Sequence, residues 1–391
     1  MTKRNQQLAV AIGFLLFIYA SLLLNLAKSP VELSFAERRK LAQFPEFSTK
    51  TLLDASFMKG FDDYAIDQIA FRDDWRRLKA LFDLNIFHKS DSNAIFVVGD
   101  MVFKTEYPLV ESSIRRLCNI INYCDEEYLE GLQVYYTLIP DKNYYLQEDN
   151  HLLLDYAFMS DLVRQRLRDN ITCIDMFEAL SLDSYYLTDS HWKQEKLAGV
   201  LATLAAGLGT EIPFMPESYD AHSFYPFYGV YYGQSALNVT PDEIVYFSND
   251  VIDDAQVLNL EKPGQSYHIY DETALGGMDS YNLFMMGPAA VVTVSNPAVT
   301  TGKGLVIFRD SYASSLAPLL LAGYDSITLI DLRYIRPDLL GIPELVGEYV
   351  DFQDKDVLFM FSSTLFNNSD SVQSAPSREF VSPFVARSRV K

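Results

Sequence analysis

The spacing of apolar and polar positions divides the chain into stretches of different period. Leu8 to Ala27 is apolar almost throughout, with Ser21 and Asn25 the clear exceptions. About 20 such residues cross a bilayer as a helix. The run is longer than the roughly 7–15 residues of a secretory h-region, and Leu24-Asn25-Leu26-Ala27 lacks a small-x-small cleavage pattern. It predicts an uncleaved signal anchor over residues 1–28, with a buried core helix as the alternative. Lys3 and Arg4 favour a cytoplasmic amino terminus, while Lys28 and Glu37-Arg38-Arg39-Lys40 weaken that bias. No second run of this length follows, so the rest of the chain is expected on the extracytoplasmic side of a cell membrane.

Residues 29–50 read as a stalk or linker. From Thr51 to Phe87 the apolar positions recur at helical spacing, as in Phe57, Phe61 and Tyr64, then Trp75, Leu78 and Phe82. Ile95 to Val98, Gly99-Asp100 and Met101 to Phe103 predict a tight hairpin. Short apolar runs then alternate with helical periods. Strands are expected at 132–139, 171–174, 304–308, 326–330 and 357–361, and helices at 152–167, 192–208 and 312–321. That alternation predicts an α/β fold with a parallel sheet flanked by helices, and a ligand site at the carboxyl ends of its strands. Thr210 to Thr301 breaks the rhythm. It is rich in Tyr, Gly and β-formers, and reads as a β-rich insertion overhanging the sheet. The domain is expected to cover residues 51–366, and residues 367–391, Ser-rich and weakly apolar, a disordered tail.

Charge narrows the function classes. With 52 acidic and 32 basic residues the formal net charge is −20, which repels phosphate backbones and anionic lipid heads. Nucleic acid is not an expected partner. The 25 Tyr and 26 Phe suit ordinary packing, or a surface for sugars. Cys118, Cys124 and Cys173 form no metal-binding pattern. Cys118 and Cys124 read as two buried helix positions or as a pair. No cofactor is expected.

Two segments carry candidate chemistry. The first is Thr188-Asp189-Ser190-His191-Trp192, placed between a strand and a helix. An acid two residues before a histidine can fix its tautomer and stabilise the imidazolium formed in proton transfer. Alternatively, Asp189 caps the next helix and His191 packs beneath it. The second is Leu305 to Phe308 followed by Arg309-Asp310-Ser311-Tyr312. A serine between a buried strand and a helix shows its hydroxyl at the sheet edge, where backbone N–H groups can receive an oxyanion. The plain alternative is a capping serine. Asp189, His191 and Asp310 also make a conceivable metal triad, but no second histidine accompanies them.

Together these segments resemble the DHHW family, which is similar in turn to the alginate O-acetyltransferase group of SGNH-like proteins. The resemblance covers roughly residues 34–365. It includes Glu37 to Pro45, Phe61 to Trp75 with Arg72-Asp73, Pro140 to Tyr145, and Tyr228 to Gln234. It implies an SGNH-like sheet and a catalytic triad of Ser311 as nucleophile, His191 as base and Asp189 as its orienting acid. The Asp-x-His element precedes the serine, as in the alginate group. Ser190 stands where the family name has a second histidine, and Arg309 where ordinary SGNH sequences carry glycine. Oxyanion donors are sought in the backbone of Ser311 or Tyr312, and in Gly233, Gln234 or Asn282. Gly233 also reads as a turn glycine. Lys142, just after a strand, reads either as reaching the pocket or as a surface lysine.

The resemblance implies acyl transfer, with O-acetylation of an extracellular or cell-wall polysaccharide as the leading expectation. A multi-spanning membrane O-acyltransferase is then the expected donor partner. A carbohydrate esterase with the same triad and a non-catalytic polysaccharide-binding protein are the competing readings.

Overall fold

The structure is a computed structural model that describes residues 3–146, 151–262, 264–334, 350 and 352–372. The chain divides into two compact units, one of residues 1–93 with 232–238, the other of residues 94–231 with 239–391.

The first unit begins with α1 (Lys3–Ala27), which buries no residue and is long and apolar enough to cross a membrane. A two-residue ladder pairs β1 (Leu33–Ser34) with β2 (Arg39–Lys40). Helices α2 (Thr49–Leu53), α3 (Ser56–Asp67) and α4 (Arg72–Leu81) follow, and a π-helical turn (Phe82–Ile86) continues α4. The segment expected as a stalk is tied to the end of α3. Arg39 holds Asp67 through two nitrogens, at 2.7 and 2.5 Å, and the Ala42 N–H also donates to that carboxylate. Arg39 thereby lowers the Asp67 pKa to about 2. The Gln68 side chain bonds both the N–H and the carbonyl of Val31.

The second unit opens with the expected hairpin, β3 (Ile95–Val98) and β4 (Met101–Lys104), turned at Gly99 with φ of 60°. There follow α5 (Glu111–Tyr128), β5 (Val134–Ile139), α6 (Tyr156–Arg166), β6 (Thr172–Cys173) and α7 (Ala198–Leu208). Next come β7 (Asp220–Phe227), α8 (Val230–Ser235, which runs into the first unit), β8 (Asp242–Ser248), α9 (Asp250–Asp253), β9 (Gln256–Asn259) and β10 (Val291–Ser295). The chain continues through β11 (Gly304–Arg309), α10 (Tyr312–Leu320), β12 (Ser326–Ile330), β13 (Lys355–Ser362) and α11 (Ser363–Asn367).

Seven strands form the main sheet in the order β6-β5-β13-β11-β12-β10-β9. The first five run parallel, while β10 and β9 add antiparallel strands at one edge. The 210–301 stretch, expected to overhang the sheet as a β-rich insertion, instead supplies two strands of it. Its Val291-Val292-Thr293-Val294 run extends the sheet, and only β7 and β8 pair separately. The helix expected from Trp192 begins at Ala198, because the preceding residues are used in a loop and a short 3-10 turn. Of the expected tail, residues 373–391 lie outside the described residues, and Ser369–Val372 form a 3-10 turn with Ser369 and Val372 buried.

Period-two alternation explains how both faces are covered. Val306 and Phe308 of β11, with Val357, Phe359 and Phe361 of β13, pack under α5 and α6. Leu305, Ile307, Leu358 and Met360 pack under α7 and α10. Each such side chain stabilises the fold by roughly 1.5–3 kcal/mol when fully buried. Cys118 and Cys124 lie buried on α5 as free thiols, which burial pushes up to about 12.

Candidate active site

Three neighbouring parallel strands end side by side and set the floor of the site. After β11 come Asp310 and Ser311, after β5 come Asp141 and Lys142, and β13 ends at Ser362. The Asp310 carboxylate accepts the N–H of Tyr312 at 3.1 Å and that of Ser362 at 2.8 Å. The Ser363 hydroxyl donates to Asp141 and accepts its N–H. Arg309 is 2% exposed, and its Nη1 donates to the Ser314 hydroxyl at 2.7 Å. Ser311 has φ of −65° and ψ of −17°, so it enters α10 in an ordinary helical conformation.

The 188–192 segment is a loop closed by a bridge between Tyr185 and Trp192 and by Tyr186 N–H to the His191 carbonyl. One carboxylate, Asp242, accepts the N–H groups of Leu187 and Thr188 and the Thr188 hydroxyl. Beneath the loop, buried Lys142 donates to the carbonyls of Tyr186, Leu187 and Asp189 at 3.0, 3.1 and 2.9 Å. Burial brings its pKa down to about 7 against the pull of Asp189, Asp242 and Asp141. Trp192 fastens the loop to α10, its Nε1 donating to the Tyr312 carbonyl and the Ser315 hydroxyl. Gly229 is required because a Cβ there would lie 2.3 Å from the Thr188 carbonyl oxygen.

These anchors bring Asp189 and His191 against Ser311, 120 residues farther along the chain from His191. His191 Nε2 lies 2.7 Å from Ser311 Oγ, and His191 Nδ1 lies 2.6 Å from Asp189 Oδ1. Asp189 is fully buried, and its other oxygen accepts the Val230 N–H at 2.7 Å. The imidazole stacks on Tyr281 with ring centroids 3.8 Å apart and planes 11° off parallel. Tyr281 is held by its own hydroxyl contact with Ser315. With Asp189 accepting at Nδ1, the Nε2 nitrogen is left as the acceptor for the serine proton.

The other sequence candidates fall elsewhere. The Tyr312 N–H is already given to Asp310, so it is not free to receive an oxyanion, and its hydroxyl donates to the Ser190 carbonyl. The Ser311 N–H makes no hydrogen bond among the described residues. Gly233 and Gln234 belong to α8 within the first unit. There Gly233 packs against the Ala36 backbone and its carbonyl accepts from Arg76. It is a close-approach glycine, not a turn glycine. Asn282 lies in a 3-10 turn and sits over Gly287. Lys142 is neither a surface residue nor free to reach a substrate, because all three of its donors go to the loop. Asp189 and Asp310, considered as metal ligands, have both oxygens engaged by N–H groups or by His191. Asp242 and Tyr281 were not singled out from the sequence. Neither belongs to a motif, and only the fold brings them to residues 188 and 191.

Comparison with known proteins agrees with this architecture. Residues 160–330 match the family profile described as DHHW protein. A DHHW family protein from Eubacterium siraeum superposes with a TM-score of 0.58 at 18% identity, over 73% of this chain and 96% of that one. Bacillus cereus PatB1 with a sulfonyl adduct gives 0.54 at 15% identity, over 72% and 98% of the two chains. The same protein in a second structure gives 0.52 at 15% identity, over 70% and 96%. No curated protein matches by sequence. The chain thus has a mixed α/β fold with a mostly parallel sheet and, by profile over residues 160–330 and by fold over most of its length, is similar to the DHHW family.

Proposed function

We propose that the protein is a membrane-anchored, extracytoplasmic acyltransferase that O-acetylates a polysaccharide through Ser311, His191 and Asp189. The observation that carries this reading is the unbroken relay from the Ser311 hydroxyl through the imidazole to a buried carboxylate. A serine is a weak nucleophile until a base removes its proton, and the base works best when a third group fixes it. His191 Nε2 takes the Ser311 proton as Oγ attacks the acyl carbonyl. The donor's leaving oxygen then recovers that proton, leaving an acyl-serine. A sugar hydroxyl gives its proton to the same nitrogen and attacks the acyl carbon, and the imidazolium returns that proton to Ser311 Oγ as it leaves. The Ser311 N–H, at the start of α10, is the donor best placed for the developing oxyanion. The similar PatB1 fold was captured with a sulfonyl adduct, the kind of product an activated nucleophile gives. Helix α1 serves as the anchor, and a multi-spanning membrane acyltransferase delivers the acyl group.

The test is incubation with an activated acetyl ester and oligosaccharide acceptors, followed by peptide mass spectrometry. The expected result is an acetyl adduct on Ser311 and acetylated sugar, both lost in Ser311→Ala. Turnover equal in Ser311→Ala and wild type sinks the mechanism. Acetate release with no acetylated sugar under any acceptor makes the enzyme an esterase instead.

A further inference from the structure

We propose that the outer face of α4 and its π-helical continuation is a membrane-contact surface, seated among lipid acyl chains beside α1. This rests on the reading of α1 as a membrane anchor. Phe71, Trp75, Leu78, Phe82 and Ile86 recur at spacings of four, three, four and four, which puts them along one side of a helix. Each is between 42% and 60% exposed. The opposite side faces the rest of the unit, where Ala80 is buried and buried Asp83 is paired with Lys79 and Lys89. Water-facing helices do not ordinarily leave so many large apolar side chains bare in one row.

What covers this row follows from its neighbour. The Trp75 ring meets Phe17 of α1 edge-on, with centroids 6.4 Å apart. Asn25 of α1 accepts the Ala70 N–H at 2.7 Å, just ahead of α4. Between them lies a largely apolar cleft of about 590 Å³, whose lining includes Phe17, Leu24 and Trp75 together with Arg72, Arg76 and Lys79. The bare surface of α1 needs acyl chains around it, and the α4 row continues that surface sideways. The run from Leu8 to Ala27 is about 30 Å long as a helix, and its turns from Phe17 to Asn25 line the cleft with α4. Helix α4 has the form of an interfacial helix: a tryptophan in its apolar row, Asp73 and Arg77 exposed elsewhere, and Arg72 and Arg76 paired with Glu37.

The full chain is reconstituted in phosphatidylcholine vesicles, plain or carrying dibrominated acyl chains, and its tryptophan emission is read after flotation. Only Trp75 and Trp192 emit, and Trp192 is wholly buried. The expected result is strong quenching by the brominated lipid, with the quenched component absent in Trp75→Phe. A chain that floats with the vesicles but shows equal emission in both lipids overturns the contact surface and leaves the row to a protein partner. A chain that fails to float overturns the anchor reading, and this inference with it.

Discussion

Replacing Lys142 by methionine tests how the 188–192 loop is held. The side chain keeps its length and loses its charge. Three carbonyls lose a donor, of which that of Leu187 keeps the Val102 N–H at 2.8 Å. Each bond is worth about 1.5–3 kcal/mol while the amine is charged and about 0.5–1.5 kcal/mol once it is neutral. Relief from burying a charge returns part of that. The pH dependence isolates the lysine. Its folded pKa is depressed to about 7 from 10.5, so between those values the unfolded chain holds a proton that the folded chain has released. The lysine's contribution to stability therefore rises with pH across this window, by at most about 1.4 kcal/mol per unit. Urea unfolding of wild type and Lys142→Met at pH 6 and pH 9 measures it, and the gap between them is expected to widen at pH 9. Equal gaps, or a gap that narrows, would refute a buried lysine with a lowered pKa.

Three further outcomes follow from the same contacts. Asp189→Asn keeps the shape but permits the wrong imidazole tautomer, so the rate of Ser311 acylation is expected to fall by roughly 10³–10⁴ with the fold intact by circular dichroism. Trp192→Phe removes both Nε1 bonds to α10, and a loss of about 1–3 kcal/mol is expected in denaturant titration. Gly229→Ala puts a methyl 2.3 Å from the Thr188 oxygen and 2.5 Å from the Asp189 Cβ. Labelling of Ser311 by a sulfonyl fluoride is expected to slow far more than thermal stability falls, and unchanged labelling would show that the loop tolerates displacement.

Much of this arrangement was legible because it is written in local patterns. The β11 run Leu305 to Phe308 is apolar at every position, as a strand buried on both faces must be, and a serine follows it. The Asp-x-His spacing likewise named its own contact, since an acid two residues from an imidazole can reach Nδ1. The edge strands were less legible. Val291 to Ser295 has the same composition whether it overhangs the sheet or joins it, and only the antiparallel register with β12 decides. The two readings of Lys142 stayed open for a similar reason. A lysine after a strand signals surface unless its partners are known, and here they are carbonyls 44 to 47 residues away. Gly233 read as a turn because a glycine selected by the nearness of another chain segment looks no different in one dimension.

Asp242 ties the geometry around Ser311, His191 and Asp189 to a part of the chain that supplies none of those three side chains. Its single side chain gathers two amides and a hydroxyl from residues 187 and 188. A version trimmed of residues 210–301 would keep the serine, the imidazole and the acid yet lose the bracket that shapes their loop. Any shortened chain must therefore keep Asp242 in place, and with it Tyr281, whose ring stacks on the imidazole.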